Sequence, residues 1–306
     1  MTRCGVIDVG SNTIRLCVYD VPKKKSARPS DICKVFDAKQ SVGLSAYMDH
    51  GRMTPDGVLA AVKTLRTQVK RANLLNCNKI WAFATAALRN CSNSREAVQE
   101  IEEGCGVGLD VVSGADEAKL GLAGARFGGA AGIDTLVDIG GGSTELTRIS
   151  PGGAMENVSL PQGSLSSYVA FVDKIIPTDE ELDRIGEAFH AQLDASDIPL
   201  EGARSIYGLG GTVRTAARVY GDLFNQGVRL KEVRPEHLER LFTACREDEG
   251  VFAHELLRTS AQRVHTLLPG CALLREVFAA SGAPLIHVTK YGVREGYLLA
   301  RIEGRR

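Results

Sequence analysis

Val6-Ile7-Asp8-Val9-Gly10-Ser11-Asn12-Thr13-Ile14-Arg15-Leu16 aligns without a gap on Leu136-Val137-Asp138-Ile139-Gly140-Gly141-Gly142-Ser143-Thr144-Glu145-Leu146. In each stretch an aspartate stands at the end of an apolar run, a glycine follows two residues later, and a second apolar run begins after the turn. This is strand, glycine turn, strand, written twice. Self-similarity of this kind decides a fold, because the same hairpin opens two successive halves of mixed helix and strand. A tight glycine turn also exposes consecutive backbone N–H groups as a concave nest for phosphate oxygens. The hydroxyls of Ser11, Thr13, Ser143 and Thr144 add donors, and Asp8 and Asp138 are placed to hold Mg²⁺ directly or through water. For one hairpin alone an ordinary turn would be an equal reading; the duplication favours phosphate.

Around the first hairpin the pattern predicts strands over Val6–Val9, Ile14–Val21 and Ile32–Ser41, with a turn from Pro22 to Asp31 carrying Lys23, Lys24, Lys25 and Arg28. Thr54-Pro55 is an N-cap and first-turn proline, and Val58, Val62, Leu65 and Val69 follow at helical spacing, giving a helix from Pro55 to about Asn73. Ile80–Ala84 is a strand, Asn93 caps a helix with Glu96 three positions on, ending near Gly104, Leu109–Val112 is a strand, and Ala115 to Phe127 a helix. The first half is βββαβαβα. After the second hairpin, Thr178 with Glu181 caps a helix to about Asp194, and Ser205–Leu209 is a strand from which Gly210-Gly211-Thr212 turns into another helix. Helical segments cover much of Pro235 to Ala280, with an interruption at Pro269-Gly270. Pro284–Thr289 is a last strand and Gly292 to Ile302 a last helix.

The chain has 306 residues, 44% hydrophobic and 24% charged, which fits an ordinary soluble protein of two domains. Its 37 basic and 37 acidic side chains cancel, which argues against a non-specific coat on duplex nucleic acid. Any polyanion must be met by a local site. No run approaches the roughly 20 apolar residues of a membrane span, and Asp8 and Arg15 break the N-terminal run as a signal peptide. The eight cysteines form no C-x-x-C pair, so they read as reduced thiols in a cytoplasmic protein, and the six histidines form no zinc pattern. A G-x-x-x-x-G-K-[ST] loop and a G-x-S-x-G elbow are both absent.

The paired D-[VI]-G turns resemble the phosphate motifs of the actin-like, ribonuclease-H-like ATPase superfamily. More narrowly, seven ordered segments resemble the exopolyphosphatase/guanosine pentaphosphate phosphatase (Ppx/GppA) family, over essentially the whole chain. They are Ile7 to Leu16, Ala84-Thr-Ala-Ala-Leu-Arg-Asn90, Ser113-Gly-Ala-Asp-Glu-Ala118, Val137 to Glu145, Gly208-Leu-Gly-Gly-Thr212, Leu268-Pro-Gly270 and Gly292-Val-Arg-Glu-Gly296. The resemblance implies an α/β fold of two ribonuclease-H-like domains, each a mixed sheet flanked by helices, with a cleft between them. Domain I would be residues 1–130 plus 291–306, and domain II residues 131–290.

The resemblance also assigns roles. Glu117, at the ligand end of an open α/β sheet, becomes the base or orienter of the attacking water, with Asp116 a weaker neighbour. Asp138 and Glu145 join it as catalytic residues, and with Asp8 they are the Mg²⁺ ligands. Phosphate contacts fall to Gly10, Ser11, Asn12, Thr13, Arg15 and Arg89 in the first half, and to Gly140, Gly141, Gly142, Ser143, Thr144, Gly210, Gly211 and Thr212 in the second. Arg15, on a strand, can instead pair with a carboxylate; Arg294 and Glu295 can be functional or structural. Ser166 stands where relatives carry an arginine, and the chain resembles only the short, two-domain form. The expected activity is release of the terminal phosphate of inorganic polyphosphate with Mg²⁺. The alternatives are guanosine pentaphosphate hydrolysis, a kinase of the superfamily, or a non-catalytic sensor of a phosphorylated ligand. No membrane or duplex nucleic acid is expected as partner, and a homodimer is compatible with the reading. With zero net charge, Ser166 and the lysine turn facing away, long polyphosphate is expected to dissociate between cuts.

Overall fold

The computed structural model describes residues 1–23 and 31–304, so Lys24, Lys25 and Arg28 of the basic turn lie outside the described residues. The chain divides into two compact units, Met1–Leu120 with Val293–Arg306, and Gly121–Gly292.

In unit 1, Thr2–Val9 (β1), Thr13–Val21 (β2) and Cys33–Ser41 (β3) form an antiparallel meander. Met48–Asp49 (β4) and Arg52–Met53 (β5) make a small hairpin, followed by Pro55–Leu74 (α1), Lys79–Ala84 (β6), Ala86–Arg89 (α2), Ser94–Cys105 (α3), Leu109–Val111 (β7) and Gly114–Phe127 (α4), whose residues from Gly121 on belong to unit 2. The sheet order is β3-β2-β1-β6-β7, with β1, β6 and β7 parallel. Central β1 is covered on both faces, hence its nearly unbroken Val6, Ile7, Val9 run. Thr54 caps α1 by accepting from the Gly57 N–H (3.2 Å), and Val58, Ala61, Val62 and Leu65 pack on the sheet with Ala82 and Ala84. Phe83, pointing to the opposite face, meets the ring of Tyr297 at 4.6 Å. Tyr297 comes from Val293–Ile302, the last helix, so the chain's end covers the second face of this sheet.

One expected cap is absent. Asn93 does precede α3, but its side chain makes no cap; its amide is bonded both ways to the Met53 backbone, at 2.8 and 3.0 Å. The asparagine fastens the small hairpin to α3 and so leaves the helix start uncapped.

Unit 2 repeats the design. Thr135–Ile139 (β8), Thr144–Ile149 (β9) and Met155–Leu160 (β10) are antiparallel, and Ser164–Phe171 (α5) and Asp179–Ala195 (α6) follow. Next come Ile206–Leu209 (β11), Gly210–Phe224 (α7), Glu232–Val233 (β12), Pro235–Glu247 (α8), Glu249–Ser260 (α9), Leu267–Ser281 (α10) and Ile286–Val288 (β13), and Val293–Ile302 becomes α11. The order β10-β9-β8-β11-β13-β12 is the unit 1 order with one added edge strand. The capping box at α6 forms as the sequence predicts: Glu181 N–H donates to Thr178 Oγ1 (3.3 Å) and Thr178 N–H to Glu181 Oε2 (2.8 Å). Val137 and Ile139 face a core of α6, α7 and α10, whereas Leu136 faces Leu122 and Ala125 of α4.

The interruption expected at Pro269-Gly270 is not there. Both residues lie in the first turn of α10, where a proline costs no helical hydrogen bond. The breaks are earlier, at the extended Asp248 between α8 and α9 and in the turn Ala261–Arg263 after α9. All eight cysteines are free thiols. Among the described residues, no helix is long and apolar enough to cross a membrane.

Candidate active site

The two glycine turns match at the level of single hydrogen bonds. Gly10 N–H donates to Thr13 O (3.0 Å), and Gly140 N–H to Ser143 O (2.9 Å). Their carbonyls are tied back by the segment that follows the third strand of each meander. Asn12 O accepts from Val42 and Gly43 N–H (2.9 and 3.0 Å), and Ser11 O from Ser45 N–H (3.1 Å). Gly140 O accepts from Ser164 N–H (2.9 Å), and Gly141 O from Leu165 and Ser166 N–H (2.8 and 2.9 Å). With the carbonyls held on that side, the N–H groups of Ser11, Asn12, Gly141 and Gly142 donate to no acceptor among the described residues. Four such amides in two nests are a standing offer to anionic oxygens.

The side chains divide differently from the amides. Thr144 Oγ1 donates to Gln162 O (2.7 Å) and Thr212 Oγ1 to Ile139 O (2.8 Å), while the Ser143 hydroxyl is bonded to Glu145 Oε1 (2.7 Å). These hydroxyl protons are committed to the protein, so the side chains of residues 143, 144 and 212 are not the donors that a phosphate would meet.

In unit 1, Glu117 lies in the first turn of α4 and is 7% exposed. Arg89, at the end of α2, reaches it at 2.5 Å and also donates to Val112 O (3.3 Å). The fold thus joins two residues that are 28 apart in sequence. Asp116 serves the helix instead, closing a reciprocal cap on α4 with Ser113 at 3.0 and 3.1 Å. Arg15 takes the carboxylate alternative, with a bidentate pair to Asp37 at 2.6 Å for each bond. Asp8 is paired with Arg294 at 2.8 Å, and Glu295 is buried and accepts from the Tyr19 hydroxyl at 2.7 Å. Burial and the Glu295 carboxylate push the Tyr19 hydroxyl far above its ordinary value, which keeps it a donor. Both members of the Arg294-Glu295 dipeptide therefore hold α11 to the first hairpin.

In unit 2, Asp138 and Glu145 stand directly opposite on β8 and β9, as Asp8 and Arg15 do on β1 and β2. Ser143 and Ser159 hydroxyls both reach Glu145 Oε1, at 2.7 and 2.9 Å. Gly210 has φ +72°, and a Cβ there would lie 2.0 Å from Asp138 Oδ1. The glycine is therefore required twice, by its backbone conformation and by the carboxylate seated against it. Next to it, the guanidinium of Arg263 lies across Gly211, with Nη2 2.1 Å from where a Cβ would be. Sequence reasoning missed Arg263. It sits in a turn before α10 that carries no motif, and only the tertiary fold brings it to the start of α7. Ser166, in the position of the missing arginine, bonds locally: Gly163 N–H donates to its Oγ at 2.8 Å.

Whether these residues suit a divalent cation can be judged from the donor set. Among the described residues no group of three or more His, Cys, Asp or Glu side chains could enclose a metal ion. Mg²⁺ does not need one, since it is commonly held by one or two carboxylates, water and substrate phosphate oxygens. Asp138, in its Gly210 cradle, with Glu145 across the strand pair is a hard-oxygen set of that kind. Asp8 is different, its carboxylate being shared with a guanidinium.

Comparison with known proteins gives the same picture. The model of the Ppx/GppA phosphatase family matches residues 21–304. Exopolyphosphatase 1 of Mycobacterium tuberculosis is 26% identical, over 98% of this chain and 88% of that protein. Exopolyphosphatase 2 of the same organism is 27% identical over 98% of each. Among solved structures, an exopolyphosphatase from Cytophaga hutchinsonii superposes with TM-score 0.81 at 21% identity, covering 99% of this chain and 98% of that one. The Aquifex aeolicus Ppx/GppA family member gives 0.76 at 22%, covering 100% and 99%. These two likenesses establish the fold, and the family match goes further: the chain belongs to the Ppx/GppA phosphatase family and is a hydrolase acting on phosphoanhydrides.

Proposed function

We propose that the protein is an exopolyphosphatase that releases the terminal phosphate of inorganic polyphosphate with Mg²⁺ as cofactor. The observation that carries the phosphoryl chemistry is the pair of glycine turns whose carbonyls are bonded away and whose amides are left for anionic oxygens. The mycobacterial relatives, named exopolyphosphatases and matched along nearly the whole chain, favour polyphosphate over guanosine pentaphosphate.

Water attacks the terminal phosphorus in line, the bond from phosphorus to the bridging oxygen breaks, and orthophosphate leaves with a chain one unit shorter. Glu117 orients that water and takes its proton, and Arg89 fixes the carboxylate and brings its positive charge to the phosphate. The Gly141 and Gly142 amides and Arg263 bear on the charge of the equatorial oxygens. Asp138 and Glu145 would hold Mg²⁺, which when bound neutralises oxygens of the phosphates being parted.

Phosphate release from long polyphosphate, tripolyphosphate, guanosine pentaphosphate and ATP, each with Mg²⁺ and with chelator, tests the reading. Polyphosphate should be the best substrate, and chelator should abolish the activity. Guanosine pentaphosphate as the sole good substrate would overturn the choice of substrate, and full activity in chelator would remove the metal. Asp138→Asn should raise the Mg²⁺ concentration for half-maximal rate, because an amide oxygen is a poorer ligand for a hard cation. An unmoved titration curve would make Asp138 structural.

A further inference from the structure

Asp138, Glu145 and Ser159 stand in one row across three strands. Asp138 is opposite Glu145 on β8 and β9, and Glu145 is opposite Ser159 on β9 and β10. Strand alternation puts the neighbouring row, Val137, Leu146 and Val158, on the other face of the sheet, where it joins the core of α6, α7 and α10. Ser159 therefore belongs to the face of the carboxylates, although it lies outside the segments that carry the family resemblance.

The row is tied together at a single oxygen. Glu145 Oε1 accepts from the Ser143 hydroxyl, in the glycine turn, at 2.7 Å and from the Ser159 hydroxyl, on the edge strand, at 2.9 Å. A hydroxyl has one proton to give, and given to a carboxylate it makes a bond about twice as strong as a neutral one. One such bond leaves the carboxylate free to swing about it. Two, arriving from different elements, fix its plane and hold the several side-chain torsions of a half-buried glutamate in one state.

Unit 1 supplies the contrast. Its corresponding row reads Asp8, Arg15 and Lys39. An arginine, paired with Asp37, takes the place of the glutamate, and a lysine takes the place of the serine. Two cationic side chains follow the aspartate there, whereas two oxygen-bearing ones follow it in unit 2. The same strand framework serves carboxylate pairing in one unit and offers hard oxygen ligands in the other.

We propose that Ser159 is a positioning residue for the reaction: together with Ser143 it holds Glu145 by Oε1, so that the Asp138–Glu145 pair meets a divalent cation in one fixed arrangement. This rests on the cation reading of that pair given under the proposed function. Groups that hydrogen-bond a metal's carboxylate ligand set its orientation, and losing one commonly costs about 10–100-fold in metal affinity. With Ser143 still in place, the loss of Ser159 belongs at the lower end of that range.

The test reads the metal alone. Mn²⁺, which takes the same hard oxygen ligands as Mg²⁺, is titrated into the substrate-free protein and followed by electron paramagnetic resonance. The variants are Ser159→Ala, Ser159→Thr, Ser159→Val, Asn157→Ala and Glu145→Gln, with a thermal midpoint recorded for each. Threonine and valine share a shape and both suit a strand, so that pair isolates the hydroxyl even where the alanine variant folds poorly. Ser159→Ala and Ser159→Val should bind Mn²⁺ about tenfold more weakly, and Ser159→Thr should regain most of that loss. Asn157→Ala, on the same face of the same strand, should bind as the wild type does. In turnover, Ser159→Val should need about tenfold more Mg²⁺ for half-maximal rate and recover its kcat at saturating Mg²⁺, with an unmoved KM for substrate. Wild-type Mn²⁺ affinity in Ser159→Val, or an equal loss in Ser159→Thr or Asn157→Ala, would overturn the positioning role while the loss in Glu145→Gln kept the cation reading. A Glu145→Gln variant that binds Mn²⁺ as tightly as the wild type would end the cation reading at this residue, and the role of Ser159 with it.

Discussion

Glu117 is an acid in the first turn of a helix, where a carboxylate is ordinary, yet it is nearly buried and ion-paired to Arg89 at 2.5 Å. A buried pair of this sort contributes little net stability after desolvation, so its presence at the ligand end of the sheet argues for chemistry. Glu117→Gln keeps the size and one acceptor oxygen and loses the base. Turnover should fall by roughly 10²–10⁴ with substrate affinity retained; a near-normal kcat would exclude Glu117 as the base. Asp37 shows the opposite kind of charge, one given over to structure. Burial alone would raise its carboxyl, but the bonds from Arg15 and Lys34 outweigh that and hold it far below the usual carboxylate range. A depressed folded-state value gives stability that is present above about pH 4 and is lost as pH falls through the range beneath. Denaturant midpoints of the wild type and Asp37→Asn should therefore differ by a constant amount near neutrality and converge in acid. A gap that persists unchanged down to about pH 2 would show that the pair does not titrate as argued.

At the scale of elements, what could be read in advance was what repeats or announces itself locally. The hairpins were legible because Asp8 and Asp138 recur in the same eleven-residue frame, and α1 and α6 because Thr54 and Thr178 are strong caps. Helix α5 was not. Its start, Gly163-Ser164-Leu165-Ser166, has no cap residue of its own and forms because the carbonyls of Gly140 and Gly141 accept its first amides. That is a tertiary cause, invisible in a local window. Arg263 escaped notice for the same kind of reason, whereas Glu117 and Arg89 were singled out through their motifs. The α5 contact makes a prediction. A Cβ on Gly163 would lie 2.6 Å from Ser143 N, 2.7 Å from Gly141 C and 2.8 Å from Gly140 O, all backbone atoms that cannot swing aside. Gly163→Ala should cost roughly 1–3 kcal/mol of stability by overpacking and, by displacing the turn amides, lower kcat more than it raises KM. An alanine variant with wild-type kcat would mean that the second turn's geometry does not matter to the reaction.

The whole molecule is threaded so that unit 1 is made of two pieces, with all of Gly121–Gly292 between them. The closing piece, α11, brings several interactions at once. Arg294 pairs with Asp8, Glu295 accepts from Tyr19, the Tyr297 hydroxyl donates to Asp110 at 2.6 Å, and the Tyr297 ring covers Phe83. Gly296 lies so close to Leu120 that a Cβ would be 1.9 Å from its carbonyl oxygen. Removing residues 293–306 would strip the second face of the unit 1 sheet, leave Tyr19 and Phe83 uncovered, and release the Asp8 carboxylate. Burying one aromatic ring is worth about 1.5–3 kcal/mol, and here that loss adds to at least two broken polar contacts, which is a large part of an ordinary domain's stability. Unit 2 keeps its own core of α6, α7 and α10 on β8 and β11, so its folding does not depend on α11. A chain ending at Gly292 should then show one cooperative thermal transition in calorimetry where the full chain shows the heat of both units, with phosphatase activity lost. Tyr297→Phe, which keeps the ring and removes only the hydroxyl, should fall between the two. Retention of the full unfolding enthalpy in the truncated chain would show that unit 1 closes without its last helix, and the discontinuous domain would then be a feature of the path and not of the stability.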